Sequence, residues 1–467
     1  MRGDFTRDSF NSSKAFTRVL MQQGRVQLDA DWNEQTSILL SYLQSLSRDL
    51  FGAHAGPEDN CGFAIIPEAE IPNCGASKER QATLRVLLKD PGDFLIGPGA
   101  YYVDGVRAFA QDFVLYSHQS NLQRTRPLNN TNRPYHLIYL DVWEHSFSAL
   151  QDPSMREVAL NGADTAIRAG LVWQVRAHEW EANTTDADFD SVNQDWASFT
   201  EHWQSCNRGR LKVRTAALSE TDTLEPTTIA PDSAYRGPQN QLYRVEVHHS
   251  GTARDGATFK WSRENGSVQF AIEYLADPIV TLSSLGRDTR STLAPGDWVE
   301  ISDDDTIFRH IVHPLRQVQS VDNQHLTVTL KESGAEPFKT HPDRHPVLTR
   351  WDHKLGDSRR GGLDIKDGAA VIREGDNIWL KIEAGIQIQF ESGDSAQHYR
   401  AGDYWLIPAR TATGSVEWPQ RSGEPLALGP HGIDHHYAPL AIVKYDGNSI
   451  ALWRPFRRKF ANATEIA

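Results

Sequence analysis

The sequence predicts a mainly β, multi-domain chain: short antiparallel strands in sandwiches or barrels, preceded by a strand-helix module. Three observations lead there. The chain is rich in aromatics (Trp 13, Tyr 13, Phe 18) against Met 3, and aromatic residues suit a pleated, half-buried surface. Apolar and polar residues alternate with period two in several stretches, YRVEVHH and VQFAIEY among them. A turn signal precedes many apolar runs: Gly92-Asp93-Phe94, Gly296-Asp297-Trp298 and Gly402-Asp403-Tyr404. The spacing of these signals is irregular, which excludes a fixed-period repeat array.

Residues 1–80 read as the strand-helix module. Val26 and Leu28 alternate with Arg25, Gln27 and Asp29, as in a strand. A helix follows, with Asp31 and Glu34 at capping-box spacing and Gly52 at its end. Leu39, Leu43, Leu46 and Leu50 recur at steps of four, three and four and share one face. Ser37, Ser41, Gln44, Ser45 and Ser47 fall on the other. The apolar seam must be covered, either by the chain's own domain or by a neighbouring subunit. Trp32 and the four leucines are the candidate docking residues.

Residues 81–223 read as a β domain with short helical insertions. QATLRVLL (81–88) is expected to open it as a strand. Asp104-Gly105 is a hairpin signal, since that turn needs positive φ. YHLIYLDVWEH (135–145) is nearly continuously apolar, the pattern of a strand buried on both faces. Residues 148–170 read as loop and turns, and LVWQVRAHEW as another strand. Trp196, Phe199 and Trp203 sit at helical spacing in an acidic stretch. The proline-rich segment 224–240 marks a boundary. A second β domain covers 237–346. In it, TFKWSRENGSVQFAIEY reads as a hairpin turning at Glu264-Asn265-Gly266. A C-terminal β domain, 347–467, ends in a basic-aromatic tail: Trp453, Arg454, Phe456, Arg457, Arg458, Lys459 and Phe460. Arginine and aromatics anchor interfaces, so Arg454, Arg457, Arg458 and Lys459 join the docking candidates; the alternative is a surface helix with snorkelling side chains.

A length of 467 residues implies roughly two to four domains. With 48 Lys and Arg against 61 Asp and Glu, the net charge is −13, which speaks against nucleic acid as the main partner. Cys61, Cys74 and Cys206 are too few for a disulfide scaffold; Cys61 and Cys74 either pair across a short loop or stay free. No apolar stretch is long enough for a membrane span, and the charged, polar start has no apolar signal core. Synthesis in the cytoplasm is expected, with assembly into a particle and extracellular release.

The constellations that could carry chemistry are sparse. His431, His435 and His436 with Asp434 place imidazoles close together, and imidazole ligates zinc, copper or nickel. Pro430 and Gly432 deny them a helix, so they are weak metal candidates beside a plain hydrogen-bonded turn. EISDDD (300–305) offers oxygen ligands for calcium, or a solvated acidic turn. Nucleophile-elbow, phosphate-loop and dinucleotide motifs are lacking. The reading is therefore of a non-enzyme with no cofactor and no catalytic residue.

The quoted stretches also carry a resemblance. Met1 to Phe5, Leu20 to Asp29 and Asp31 to Gln35 resemble the opening of an uncharacterised family, (K/R)GDF followed by LMQQGRVQLDADWNEQ. Leu140 to Glu144, Tyr243 to Glu246, Lys260 to Gly266, Gly402 to Arg410 and His435 to Leu440 are similar to later strands of the same family. Its members are associated with gene clusters for contractile injection systems and phage-tail-like particles. The resemblance implies a structural baseplate, fibre or accessory subunit that docks on other subunits of the particle as a homo-oligomer. The alternative is a carbohydrate-binding adhesin at a fibre tip, with Trp405 or Trp418 stacked on a surface glycan. A glycan-processing enzyme would need paired carboxylates across a cleft, for which no pattern speaks.

Overall fold

A computed structural model describes residues 1–119, 125–180, 192, 196–201, 203, 208–216, 234–286, 288, 290–331, 341–393 and 396–461. Strands dominate, in several antiparallel sheets and one closed barrel. Among the described residues no helix is long and apolar enough to cross a membrane.

Two sheets form a first sandwich. One has the order Lys459–Phe460, His54–Pro57, Gly99–Val103, Val106–Ala110; the other runs Ile450–Pro455, His435–Tyr445, Tyr135–Phe147, Arg168–Glu179. Their shared core holds Tyr101, Val103, Ile138, Leu140, Val142 and Leu440. Tyr135–Phe147 is central in its sheet and largely buried, as its apolar run requires. Asp104 (φ 54°) and Gly105 (φ 81°) make the expected tight hairpin.

A second sandwich stacks a six-stranded sheet, whose centre is Gln241–His249 between Thr258–Ser262 and Tyr404–Arg410, on the small sheet Leu380–Lys381, Ile386–Phe390, Leu211–Thr215. Tyr243, Trp261, Phe390 and Trp405 fill the space between. The barrel closes in the order Gln269–Ala276, Ile279–Leu282, Thr327–Leu330, Arg316–Asp322, Trp298–Ser302, Val347–Trp351.

These sheets cut across the segments read from sequence. His435–Tyr445 pairs with Tyr135–Phe147, so the last segment completes the first sandwich. Gln241–His249 pairs with Tyr404–Arg410, and the barrel is inserted between sheet strands. Proline-rich stretches mark loops, but partners chosen at long range decide which loops separate cores.

Four local expectations are corrected. Residues 26–28 form no strand. Residues 81–87 belong to a helix, Lys78–Leu87, capped by Ser77 Oγ accepting the Arg80 N–H; only Leu84 in it is buried, so it lies on the surface by a narrow face. The strands around Glu264-Asn265-Gly266 do not pair with each other. Thr258–Ser262 pairs with Gln241–His249, and Gln269–Ala276 with barrel strands, so this turn carries the chain from sheet to barrel. Asp303 in the acidic run is a buried helix cap, accepting the Thr306 N–H at 2.9 Å.

Candidate docking face and the polar chamber beneath it

Helix α1 spans Asp29–Phe51. Its first turn is fixed by Asp31, which accepts the Leu28 N–H at 3.3 Å, and its Gly52 N–H bonds to Arg48 O. Only Ala30 and Ile38 are buried. The seam read from sequence faces outward: Trp32 is 72% exposed, Leu39 53%, Leu43 54%, Leu46 41% and Leu50 66%. Tyr42 and Leu40 flank it and are exposed as well. The expectation that the chain's own domain covers this face is overturned. From Trp32 to Leu50 the stripe is about 27 Å long at the helical rise.

The reason lies under the helix. Asn33, Ser37 and Gln44, on the opposite face, line a chamber of about 1360 Å³. The chamber's lining is mixed, with Phe5, Leu171 and Ile311 as well as Arg244, Glu246 and His248, and α1 turns its polar face towards it, the reverse of a helix lying on an apolar core. The carboxy-terminal half of α1 rests on the Asp104-Gly105 turn. Arg48 Nη2 donates to Asp104 O at 3.1 Å, a Cβ on Gly105 would lie 2.2 Å from Gln44 O, and Phe51 stacks on Phe460 at 4.0 Å between centroids.

The floor of the chamber is charged. Arg244, Glu246 and His248 are alternate residues of one strand, and their shared face looks into the chamber. Arg244 Nε donates to Glu246 Oε2 at 2.5 Å. Lys260 Nζ lies 3.3 Å from Glu246 Oε1 and 2.7 Å from Glu300 Oε1. Into this cluster runs the amino-terminal arm. Arg2 Nη2 donates to Glu246 Oε1 at 2.7 Å and lies 3.9 Å from Glu300 Oε2. Its guanidinium sits 5.3 Å from the centroid of the Trp351 ring. Asn265 Nδ2 donates to the carbonyls of Met1 (3.2 Å) and Gly3 (2.9 Å).

Burial alone would raise the Glu246 pKa, but Arg2, Arg244 and Lys260 together hold it well below the usual carboxylate range. Glu300 follows the same pattern: burial opposes ionisation, while Lys260 and then Arg2 favour it and prevail. A carboxylate neutralised by several cations is a poor general base. His248 is pushed down to about 3, by burial first and the Lys260 charge second, so it is neutral near pH 7. His248 Nδ1, His310 Nε2 and Ser302 Oγ line the chamber without a hydrogen-bond partner among the described residues.

The other candidates are placed apart. His435 Nδ1 is 2.6 Å from Asp141 Oδ1, and His436 Nδ1 is 3.1 Å from Asp104 Oδ2. The His431 ring stacks on Tyr404. The three imidazoles thus serve three different partners, and among the described residues no three or more His, Cys, Asp or Glu are grouped to hold a metal. Trp405 (1% exposed) and Trp418 (8%) are buried, each donating its indole N–H to a backbone carbonyl, so neither offers a face to a sugar. The basic tail is no helix. Arg454 lies in the strand Ile450–Pro455, and Lys459 pairs in parallel with Gly56. Arg457 Nη1 donates to the carbonyls of Cys61 and Gly62, both at 2.9 Å. The Arg458 N–H bonds to Tyr101 Oη. The tail therefore folds back onto this chain's own first strand, with Arg458 and Lys459 still exposed. Cys61 and Cys74 are free, and Cys206 lies outside the described residues.

Sequence reading missed the chamber because its parts are far apart; Arg2 and Glu246 are separated by 244 positions. One local signal was present. Arg244, Glu246 and His248 alternate in a strand whose other neighbours are apolar, and that face was open to being either a solvent face or a polar cavity. Tyr42 and Leu40 fall beside the leucine stripe and carried no separate signal.

Searches among curated proteins and among solved structures find no match. A family model does match, over residues 1–203 and 207–456, nearly the whole chain. The chain belongs to that family, a family of unknown function designated DUF6519.

Proposed function

We propose that this protein is a structural subunit that works by docking, and that the outward face of α1 is the surface on which a neighbouring subunit seats. The observation that carries this reading is the orientation of α1: Leu39, Leu43, Leu46 and Leu50 form an exposed apolar stripe, with Trp32 exposed two turns before it on the same face. Contiguous exposed apolar surface marks interaction sites, and helix-in-groove docking reads such i, i+3, i+4, i+7 anchors. The resemblance in the opening motif suggests the setting: a baseplate, fibre or accessory component of a contractile injection system or related phage-tail-like particle. The neighbour is then another subunit of that particle.

Charge introduced on the stripe tests the proposal. Leu39→Glu with Leu43→Glu should abolish incorporation into particles purified from producing cells, while the free protein keeps its fold by circular dichroism. Normal incorporation of the folded variant would remove the docking role. The mass of the purified protein in solution then decides between a second copy and a different subunit as the neighbour.

A further inference from the structure

We propose that the chamber contains a binding site for an alkylguanidinium group, built by Glu246, Glu300 and the ring of Trp351, and that the chain's own Arg2 fills it to fasten α1 as the chamber's roof. Both carboxylates meet the guanidinium at one nitrogen, Nη2, Glu246 at 2.7 Å and Glu300 at 3.9 Å. The Trp351 ring lies 5.3 Å from the guanidinium carbon and shares its face with the Lys260 ammonium, 4.5 Å from the centroid. A planar, weakly hydrated cation satisfies both demands together, accepting a ring face and donating from its edge; a compact ammonium does this less well. Trp351 Nε1 donates to Glu300 Oε2 at 3.0 Å, which fixes ring and carboxylate relative to each other before any cation enters. The site is thus held by contacts that do not involve Arg2.

The arm links this site to α1 within a few residues. The Thr6 N–H donates to Asp29 Oδ2 at 2.8 Å, and Ser9 Oγ donates to Glu34 Oε2 at 2.6 Å. Gly3 permits the path, since a Cβ there would lie 2.6 Å from Cδ1 of Ile167. Residues 10–28, between arm and helix, contain one short 3-10 turn, Ser12–Lys14, and are mostly exposed. The amino-terminal half of α1 is therefore tied down through the arm, and the arm through Arg2 together with the Asn265, Arg244 and Arg410 side chains on its backbone carbonyls. The inference concerns how α1 is held and is independent of what docks on its outer face.

Replacing Arg2 leaves Glu246 and Glu300 facing Arg244 and Lys260, two against two, so no bare buried carboxylate results and the fold is retained. The test uses the full chain carrying Arg2→Ala and reads amide hydrogen exchange in residues 29–51, with the central strand 135–147 as the internal reference. Exchange in the first turns of α1 should quicken about tenfold or more while the reference strand stays protected. Millimolar methylguanidinium should not restore protection, because it fills the site without the chain that links Arg2 to Thr6, Ser9 and α1. Arg2→Lys should fall between the two proteins. The proposal is overturned by unchanged exchange in α1, or by recovery with free methylguanidinium, which would mean that charge in the site and not the arm holds the helix. Full wild-type protection in Arg2→Lys would equally overturn the preference for guanidinium. Because exchange is measured on the protein alone, failure here leaves the docking proposal standing, and failure of incorporation leaves this one standing.

Discussion

Replacing Leu39, Leu43 and Leu46 together by glutamine separates a docking stripe from an internal core. Glutamine and leucine have nearly equal helix propensity, so the change acts on packing alone. The three side chains are 53%, 54% and 41% exposed, which leaves about half of each to be covered by a partner. Full burial of a leucine is worth about 1.5–3 kcal/mol, so each position should contribute about 1 kcal/mol to docking. The triple variant should lose about 3 kcal/mol, or about two orders of magnitude in affinity. The isolated protein should hardly notice, since exposed substitutions cost within about 0.5 kcal/mol each. Were the leucines packed inside instead, each loss would approach the 2–5 kcal/mol typical of core truncations. The assay is paired: thermal unfolding of the purified variant, and its recovery in particles by sedimentation and immunoblot. Wild-type recovery in particles would refute the docking argument. A collapse in melting temperature would refute the assignment of the stripe to the outside.

Three further outcomes follow from the same geometry. Gly105→Ala should destabilise more than Gly162→Ala in chemical denaturation: both glycines have positive φ, costing about 1–2 kcal/mol for any L side chain, but only Gly105 has Gln44 O within reach of the new Cβ; equal losses would mean that α1 does not bear on the turn. Glu246→Gln should cost about 3–5 kcal/mol in the same measurement, because Arg244 would lose its carboxylate and only Arg2 and Lys260 would keep one, in Glu300; a loss under about 1 kcal/mol would contradict the buried-network account. Burial lowers His54 and His353 to about 4 and His248 to about 3, against an ordinary 6.5. Between roughly pH 6.5 and 4 the unfolded chain therefore binds more protons than the folded one, and stability rises with pH across that window. It should be complete above the window and fall on acidification, each histidine contributing on the order of 1–3 kcal/mol; equal urea midpoints at pH 7 and pH 5 would refute this.

Local chemistry was legible in the sequence wherever a residue's neighbours in the chain are also its neighbours in space. Asp104-Gly105 needs only positive φ and its two flanking strands, and the hairpin is there. The long apolar run at 135–145 announces a strand buried on both faces and becomes one. Legibility stops where a choice of partner intervenes. Asn265 and Gly266 have the left-handed backbone of a hairpin turn, yet the two strands part, one into a sheet and one into a barrel, because each finds longer partners elsewhere. Pairing also crosses the three boundaries between the segments: His435–Tyr445 returns across the chain to pair with Tyr135–Phe147. In α1 the periodicity identified which residues share a face, and nothing in periodicity says whether that face points in or out.

The direction of α1 is read from the face it turns to the chamber. The charged cluster at its floor is already buried, with Arg244, Glu246, Lys260 and Arg2 partnering one another and Glu300. A roof made of Asn33, Ser37 and Gln44 keeps that space polar. Once the polar face is committed inward, a regular helix must carry its apolar residues on the far side, and the far side is solvent. The exposed stripe is then not an isolated oddity of the surface: it is the reverse side of the chamber's roof, and the arm running through Arg2 holds it there. Unfavourable exposure of this extent is stable in the monomer only because α1 is anchored at both ends, at Asp29 through Thr6 and at Arg48 through Asp104. If so, weakening either anchor should let α1 roll or detach before any sheet opens. The order of exchange, α1 first and the strand Tyr135–Phe147 last, becomes a direct reading of that arrangement.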